Sequence, residues 1–231
     1  MLKKKMIIGN GLIAEAFKKV SGDFKDCIIF ASGVSNSRSE NSADFKREFD
    51  LIKKYKSKTK KFIYFSTINT LDPSEKDSMY SKHKIKIERF IKKNFKKYII
   101  YRLPVVVGRG GNKKSLFNFL FQNIVEQKDM TIYAKSYRYI LDIDSVVYFI
   151  QKTYHIQNET VDIIQDKPFT IFEIVESFER CLNLKAKYHT VNKGDYFKVD
   201  NSKFKKVLLS QEELDRYSNI SYLDTIIKRY Y

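Results

Sequence analysis

No apolar run in this chain approaches the roughly 20 residues that a membrane-spanning helix needs, so no span is expected. The N-terminal stretch Met1-Leu2-Lys3-Lys4-Lys5-Met6-Ile7-Ile8 is basic and then apolar, but the apolar part is far too short for a secretory signal, and Gly9 follows at once. Cysteine is scarce: Cys27 and Cys181 make no disulfide framework, and Cys27 sits in an apolar run as a core thiol. A reducing cytoplasm is the expected setting. His83, His155 and His189 have no metal-ligand spacing among themselves or with the cysteines, so no metal site is expected and the three read as structurally ordinary. Internal repeats, disordered linkers, zinc spacings, basic tails and nucleic-acid motifs are likewise missing.

Aromatic residues are abundant. Eighteen Phe and sixteen Tyr within a hydrophobic content of 43% support a folded globule. A length of 231 residues allows one sizeable core and a smaller lobe. The net charge of +17 is spread along the chain, with small knots near residues 3–5, 53–61 and 92–97. That distribution reads as a lysine-rich composition rather than a nucleic-acid surface, although it would also attract a pyrophosphate.

The chemistry centres on residues 62–84. Phe62-Ile63-Tyr64-Phe65 predicts a buried strand ending on two hydroxyls, Ser66 and Thr67. Tyr80 and Lys84 stand at i, i+4 and share one face of a helix. A strand-end hydroxyl facing them would equip a site that moves a hydride and a proton at a carbinol or carbonyl. A free tyrosine, with a pKa near ~10, is a poor base at neutral pH, and a neighbouring ammonium favours its phenolate.

A second motif opens the chain. Lys5-Met6-Ile7-Ile8 predicts a strand, Gly9-Asn10-Gly11-Leu12-Ile13-Ala14 follows, and a helix runs to about Val20. Strand, G-x-G-x-x-A and helix form the context of the dinucleotide fingerprint. Gly9 serves the tight turn, Gly11 lets backbone approach a pyrophosphate, and Ala14 allows close helix packing. The helix N-terminus adds N–H groups and a positive dipole end. Next, Cys27-Ile28-Ile29-Phe30 ends in Ala31-Ser32-Gly33. Asp23 and Asp26 precede that run, at the wrong end of the sheet to hold a cofactor ribose. Either this run is the second strand, with Ser32, Ser35 and Arg38 poised for a 2′-phosphate, or a strand-helix-strand piece is missing.

Strands and helices then alternate, which predicts a parallel sheet. Helices are expected over 41–55, from Tyr80 through Ile91, over 115–126, from Ser145 capped by Asp144 to about Thr153, from Thr170 through Cys181, near 202–207, and from Tyr222. Strands are expected over 98–101 and on toward Gly108, at Ile132-Tyr133, at 139–143, at 161–164 and at 188–191.

This order of motifs resembles the extended short-chain dehydrogenase/reductase family: sugar-nucleotide epimerases, dehydratases and ketoreductases. It is carried by the Gly9 to Ala14 fingerprint, the run ending at Gly33, Phe65-Ser66-Thr67, and Tyr80 with Lys84. Further matches are Arg102-Leu103-Pro104 through Gly108, Arg138 to Val146, Thr170 to Ile174, and Asp200-Asn201-Ser202-Lys203. Nearly the whole chain is covered. The resemblance implies an α/β fold, a Rossmann-like parallel sheet with helices on both faces, and a small C-terminal substrate lobe. It implies a core over 1–165, with a substrate-lobe insertion near 109–137, and the lobe over 166–231. In that alignment the Cys27 run is the fourth strand of the family, about two strands are deleted, and the first strand lies at or near the sheet edge.

The site residues follow from the same resemblance. Thr67, Tyr80 and Lys84 would be catalytic, with Ser66 the alternative hydroxyl to Thr67. Gly9, Asn10, Gly11, Leu12, Ile13, Ala31, Ser32, Gly33, Arg38, Lys84, Leu103 and Pro104 would hold NADP or NAD. Ser66, Asn69, Val106 and Arg138 would meet a nucleotide-diphosphate sugar, with Arg138 clamping its pyrophosphate. Val105 stands where many relatives carry a polar substrate contact. Ile68 and Asn69 follow Thr67 where dehydratases need an acid pair, which argues against dehydration. The implied activity is NAD(P)-dependent oxidation or reduction of a nucleotide-linked sugar, narrowed to a 4-ketosugar reductase in polysaccharide or glycoconjugate synthesis. The alternatives are an epimerase using bound NAD and a non-catalytic dinucleotide sensor. A homodimer through a helix bundle rests on the resemblance alone.

Overall fold

The computed structural model describes residues 6–21, 24–56, 60–112, 114–202, 204–205 and 215–231. In chain order these form β1 (Met6–Ile8), α1 (Leu12–Lys19), β2 (Cys27–Phe30), α2 (Ser42–Lys53), β3 (Lys61–Thr67), a 3₁₀ turn (Ile68–Leu71) and α3 (Met79–Asn94). Then come β4 (Tyr98–Leu103), β5 (Val105–Val107), α4 (Leu116–Val125), β6 (Met130–Tyr133), β7 (Tyr137–Arg138), β8 (Ile140–Asp142) and α5 (Ile143–Thr153). The chain ends with β9 (Glu159–Asp162), β10 (Phe169–Thr170), α6 (Ile171–Leu182), β11 (Tyr188–Val191) and α7 (Ile220–Tyr230).

The main sheet has five parallel strands in the order β1-β2-β3-β4-β9. The inner strands β2, β3 and β4 are buried on both faces, as continuous apolar runs such as Cys-Ile-Ile-Phe require. The period of two in β3 sorts side chains between two cores. Ile63 and Phe65 join Phe17 of α1 and Phe149 and Ile150 of α5 on one face. Phe62 and Tyr64 join Ile52 of α2 and Ile87 and Ile91 of α3 on the other. This is the expected Rossmann-like sheet with helices on both faces. Among the described residues β1 pairs only with β2, in the register Met6↔Ile28 to Ile8↔Phe30, so the first strand lies at the sheet edge as expected for the shortened chain.

A third apolar cluster gathers α4, β6, α6 and α7 around Phe117, Phe178, Leu223 and Ile226. Thr170 caps α6 in a full capping box with Glu173. No described helix is long and apolar enough to cross a membrane.

Two local expectations are corrected. Asp142, not Asp144, caps α5: its carboxylate accepts from the backbone N–H groups of Asp144 and Ser145. The buried Asp142 also accepts from the Tyr222 hydroxyl of α7, a contact between distant elements that local pattern does not carry. The strand expected over 161–164 is paired over Glu159–Asp162 instead. Ile163 and Ile164 are buried apolar residues just beyond the ladder, so burial extended the apparent strand past its pairing. The helix expected near 202–207 falls largely outside the described residues.

Candidate active site

The carboxyl ends of the parallel strands open into one cleft of about 2820 Å³. That is well above the ~300–1,000 Å³ of a site for one drug-sized ligand, leaving room for two ligands of nucleotide size. Of the residues expected in cofactor contact, Asn10, Gly11, Leu12, Ile13, Ala31, Ser32, Gly33, Arg38, Lys84, Leu103 and Pro104 line it. So do Thr67 and Tyr80, and so do Ser66, Asn69, Val106 and Arg138. Gly9 lies beneath the lining rather than on it. Its φ of +125° favours glycine, and a Cβ there would overlap the Ala31 carbonyl oxygen. Gly11 is the opposite case: a Cβ would meet nothing within 4 Å, so the backbone at the start of α1 is open to a ligand.

β3 and α3 build the reactive corner. Thr67 ends β3, and its hydroxyl accepts from the Asn69 backbone N–H. Ser78 caps α3, which places Tyr80 in the first turn, where the Thr67 side chain acts on its phenol. The Lys84 ammonium, one turn on and 2% exposed, lies 5.7 Å from the Tyr80 ring centroid. Ser66, of opposite parity to Thr67 in the strand, turns to the α3 face and donates to Glu88 at 2.6 Å. Glu88 also takes Arg102 in a two-pronged ion pair. The strand's period thus separates the two hydroxyls, leaving Thr67 on Tyr80 and engaging Ser66 elsewhere.

Beneath this corner lies a buried polar cluster that sequence reasoning missed. Glu48 of α2, fully buried, accepts from the Lys84 ammonium at 3.0 Å, the Tyr64 hydroxyl at 2.7 Å and the Val34 N–H at 2.8 Å. His83 brings its Nε2 to 3.0 Å of the same carboxylate and stacks on Phe45. It therefore belongs to the site's foundation, correcting the expectation that it is ordinary. Burial alone would raise the Glu48 carboxyl. The Lys84 charge and the bonds from His83, Val34 and Tyr64 overcome it and hold the group down at about 2. Burial pushes the Tyr80 phenol above its usual value; Lys84 opposes this, Glu48 adds to it, and the Thr67 bond opposes it. A signal for Glu48 existed: it falls three residues after Phe45 and four before Ile52, on the buried stripe of α2.

Gly33 covers the ion pair. A Cβ there would stand 2.8 Å from Lys84 Nζ and 3.0 Å from Glu48 Oε1. Gly33→Ala will therefore displace Lys84, and a misplacement of that order lowers turnover by ~10²-fold. Steady-state kinetics beside a thermal melt will separate this loss from unfolding.

Arg38, Arg47 and Arg138 mark other parts of the cleft. Burial lowers the Arg138 guanidinium, Asp72 and Glu75 oppose that, and the Arg38 charge lowers it further. Arg38 thus acts on the arginine expected to hold substrate phosphate. Arg47 of α2, which the sequence did not single out, donates to the Ser32 hydroxyl and carbonyl at 3.2 Å each.

No family model and no curated protein matches the chain. Solved structures do. RMD from Pseudomonas aeruginosa complexed with NADPH matches with a TM-score of 0.71 at 8% identity, over 98% of this chain and 99% of that one. UDP-glucuronic acid 4-epimerase from Bacillus cereus, in complex with UDP-glucuronic acid and NAD, matches with a TM-score of 0.64 at 17% identity, over 93% and 79%. dTDP-glucose 4,6-dehydratase from Bacillus anthracis in complex with NAD matches with a TM-score of 0.63 at 18% identity, over 88% and 72%. At these identities the likeness is one of fold, and it agrees with the Rossmann-like fold that the motifs implied.

Proposed function

We propose that this chain is an NAD(P)-dependent oxidoreductase acting on a nucleotide-linked sugar, with reduction of a 4-ketosugar as its reaction. The convergence of Thr67, Tyr80 and Lys84 at the carboxyl edge of the sheet, in the same cleft as the glycine turn, carries this reading. The neighbouring folds that bind NADPH, NAD and UDP-sugars support it.

The residues present fit a dinucleotide at its diphosphate and nicotinamide ends. The open backbone at Gly11 and the N-terminus of α1 suit the diphosphate. Leu103 and Pro104 wall the cleft beside the reactive corner. At the adenosine end β1 is the sheet edge, so the strand that ordinarily carries a ribose-binding acid is lacking among the described residues. Ala31, Ser32 and Arg47 are the groups left there to meet it.

The cofactor, when bound, supplies the hydride. Tyr80 donates its phenolic proton to the substrate's carbonyl oxygen, and Thr67 donates a hydrogen bond to the same oxygen to orient it. Lys84 would be the residue that holds the nicotinamide ribose beside Tyr80. Arg138 binds the substrate diphosphate by charge-assisted hydrogen bonds. Residues 109–137 and 166–231 would supply the substrate lobe, and a cytoplasmic role in polysaccharide or glycoconjugate synthesis goes with such a substrate.

The deciding experiment titrates purified protein with NADPH and NADH, then screens nucleotide-linked ketosugars with the tighter binder. Micromolar affinity for one of them is expected. Absence of binding to both at millimolar concentration, with no copurified dinucleotide, would remove the redox reading. The edge position of β1 favours one second reading, a dinucleotide sensor without turnover. It predicts binding with no product from any ketosugar.

A further inference from the structure

The buried cluster under the reactive corner does more than fill space. The Lys84 ammonium makes its shortest contacts with Glu48 and Tyr64 rather than with Tyr80. Its Nζ lies 3.0 Å from Glu48 Oε1 and 3.1 Å from the Tyr64 hydroxyl, while that hydroxyl donates to the same Oε1. The other carboxylate oxygen is held by the Val34 N–H and by His83 Nε2. An ionised carboxylate accepts only, so the imidazole presents its Nε2–H there. The whole arrangement is dry: Glu48 and Tyr64 have no exposure and Lys84 has 2%. Coulombic neutralisation at such a separation is strong when water is excluded.

We propose that Glu48 is a positioning residue that neutralises Lys84 and so keeps Tyr80 protonated, setting this site to donate a proton rather than to remove one. The inference rests on the oxidoreductase reading above and narrows it to the reductive direction. The step balances with a reduced nicotinamide as reductant. Hydride adds to the ketone carbon, the carbon–oxygen π bond opens onto oxygen, and the Tyr80 proton passes to that oxygen. The nicotinamide is oxidised, and the phenolate takes its replacement proton from solvent. A lone Lys84 ammonium would instead favour phenolate in the resting site, which suits oxidation of an alcohol.

The groups facing these atoms come from several elements. Tyr80 meets Lys84 on its own helix, Glu48 from α2 and Thr67 from β3. Glu48 meets His83 and Lys84 from α3, Tyr64 from β3 and the Val34 N–H from the loop after β2. Glu88, one turn beyond Lys84, is paired with Arg102 and Ser66. No other described carboxylate accepts from Lys84. Burial lifts the Tyr80 phenol, and Glu48 adds to that lift against Lys84, in the direction the geometry requires.

The test follows the phenol itself, without cofactor or substrate. Carbon NMR of ring-labelled tyrosine, with Tyr80→Phe to assign the signal, gives the Tyr80 titration in the wild type and in Glu48→Gln. Removing the carboxylate charge should lower the titration midpoint by about 1–3 pH units, the range for an uncompensated ammonium beside an acid. Lys84→Met should move it upward, because the carboxylate is then left alone. Glu48→Gln/Lys84→Met should return it near the wild-type midpoint, and this neutral pair also tests the idea if a single variant does not fold. The upper limb of the pH profile for ketosugar reduction should follow the same order. A midpoint that stays put in Glu48→Gln, or in the neutral pair moves far from wild type, would overturn the proposal. Failure to reduce any ketosugar would instead remove the reductase reading, and the phenol titration would still decide what Glu48 does.

Discussion

Replacing Tyr80 by phenylalanine will lower kcat by about 10²–10⁴-fold, the usual contribution of a positioned proton donor. Dinucleotide affinity will stay nearly unchanged. The ring of Tyr80 packs with Val34 and Phe45 and is retained by the substitution, while only the hydroxyl on which Thr67 acts is lost. The cost to stability is therefore small, about 1 kcal/mol for one hydrogen bond. Paired kinetic and binding measurements check this directly. Wild-type turnover in the phenylalanine variant would mean that another group delivers the proton. Unchanged binding with lost turnover would also exclude the sensor reading, in which nothing is turned over to begin with.

The second large effect is on stability. Glu48→Ala will destabilise the fold by about 3–5 kcal/mol, because it leaves Lys84 as an uncompensated charge in a dry site. Tyr64 and His83 lose their acceptor at the same time. Urea unfolding of the variant measures the loss. Adding Lys84→Met should recover a large part of it, since the two side chains interact directly and their effects will not add. The same pair gives the wild type an acid-sensitive limb. The Glu48 carboxyl sits at about 2 in the fold against an ordinary value of 4.5, so the unfolded chain binds the extra proton between those values. Its contribution is complete above pH 4.5 and is lost as pH falls toward 2, and a Glu48→Gln variant should lack that limb.

The elements that were legible in the sequence share one property: their signal is local. Gly9 declares a turn because its φ of +125° favours glycine, and Gly11 leaves the backbone at the start of α1 open. Tyr80 and Lys84 share a helix face by spacing alone, and Thr67 follows from the end of an apolar run. The shortened sheet could be anticipated too, because only a brief connection separates α1 from β2. Local signals misled where burial and hydrogen bonding part company. Ile163 and Ile164 are buried without belonging to the ladder's described register, and Asp142 rather than Asp144 has the geometry to cap α5.

By itself, then, the amino-acid order determined the alternation of strands and helices, the glycine turn and the Tyr80–Lys84 pair. Each depends on backbone preference or on a period of two or 3.6 residues. Only the tertiary structure decided that Glu48 meets Lys84, 36 residues away, and that Ser66 goes to Glu88 while Thr67 goes to Tyr80. The physical reason is the parallel crossover: it lays α2 and α3 side by side on one face of the sheet. Two charges from separate helices are thereby closed into one dry space, where each is stable because the other is there.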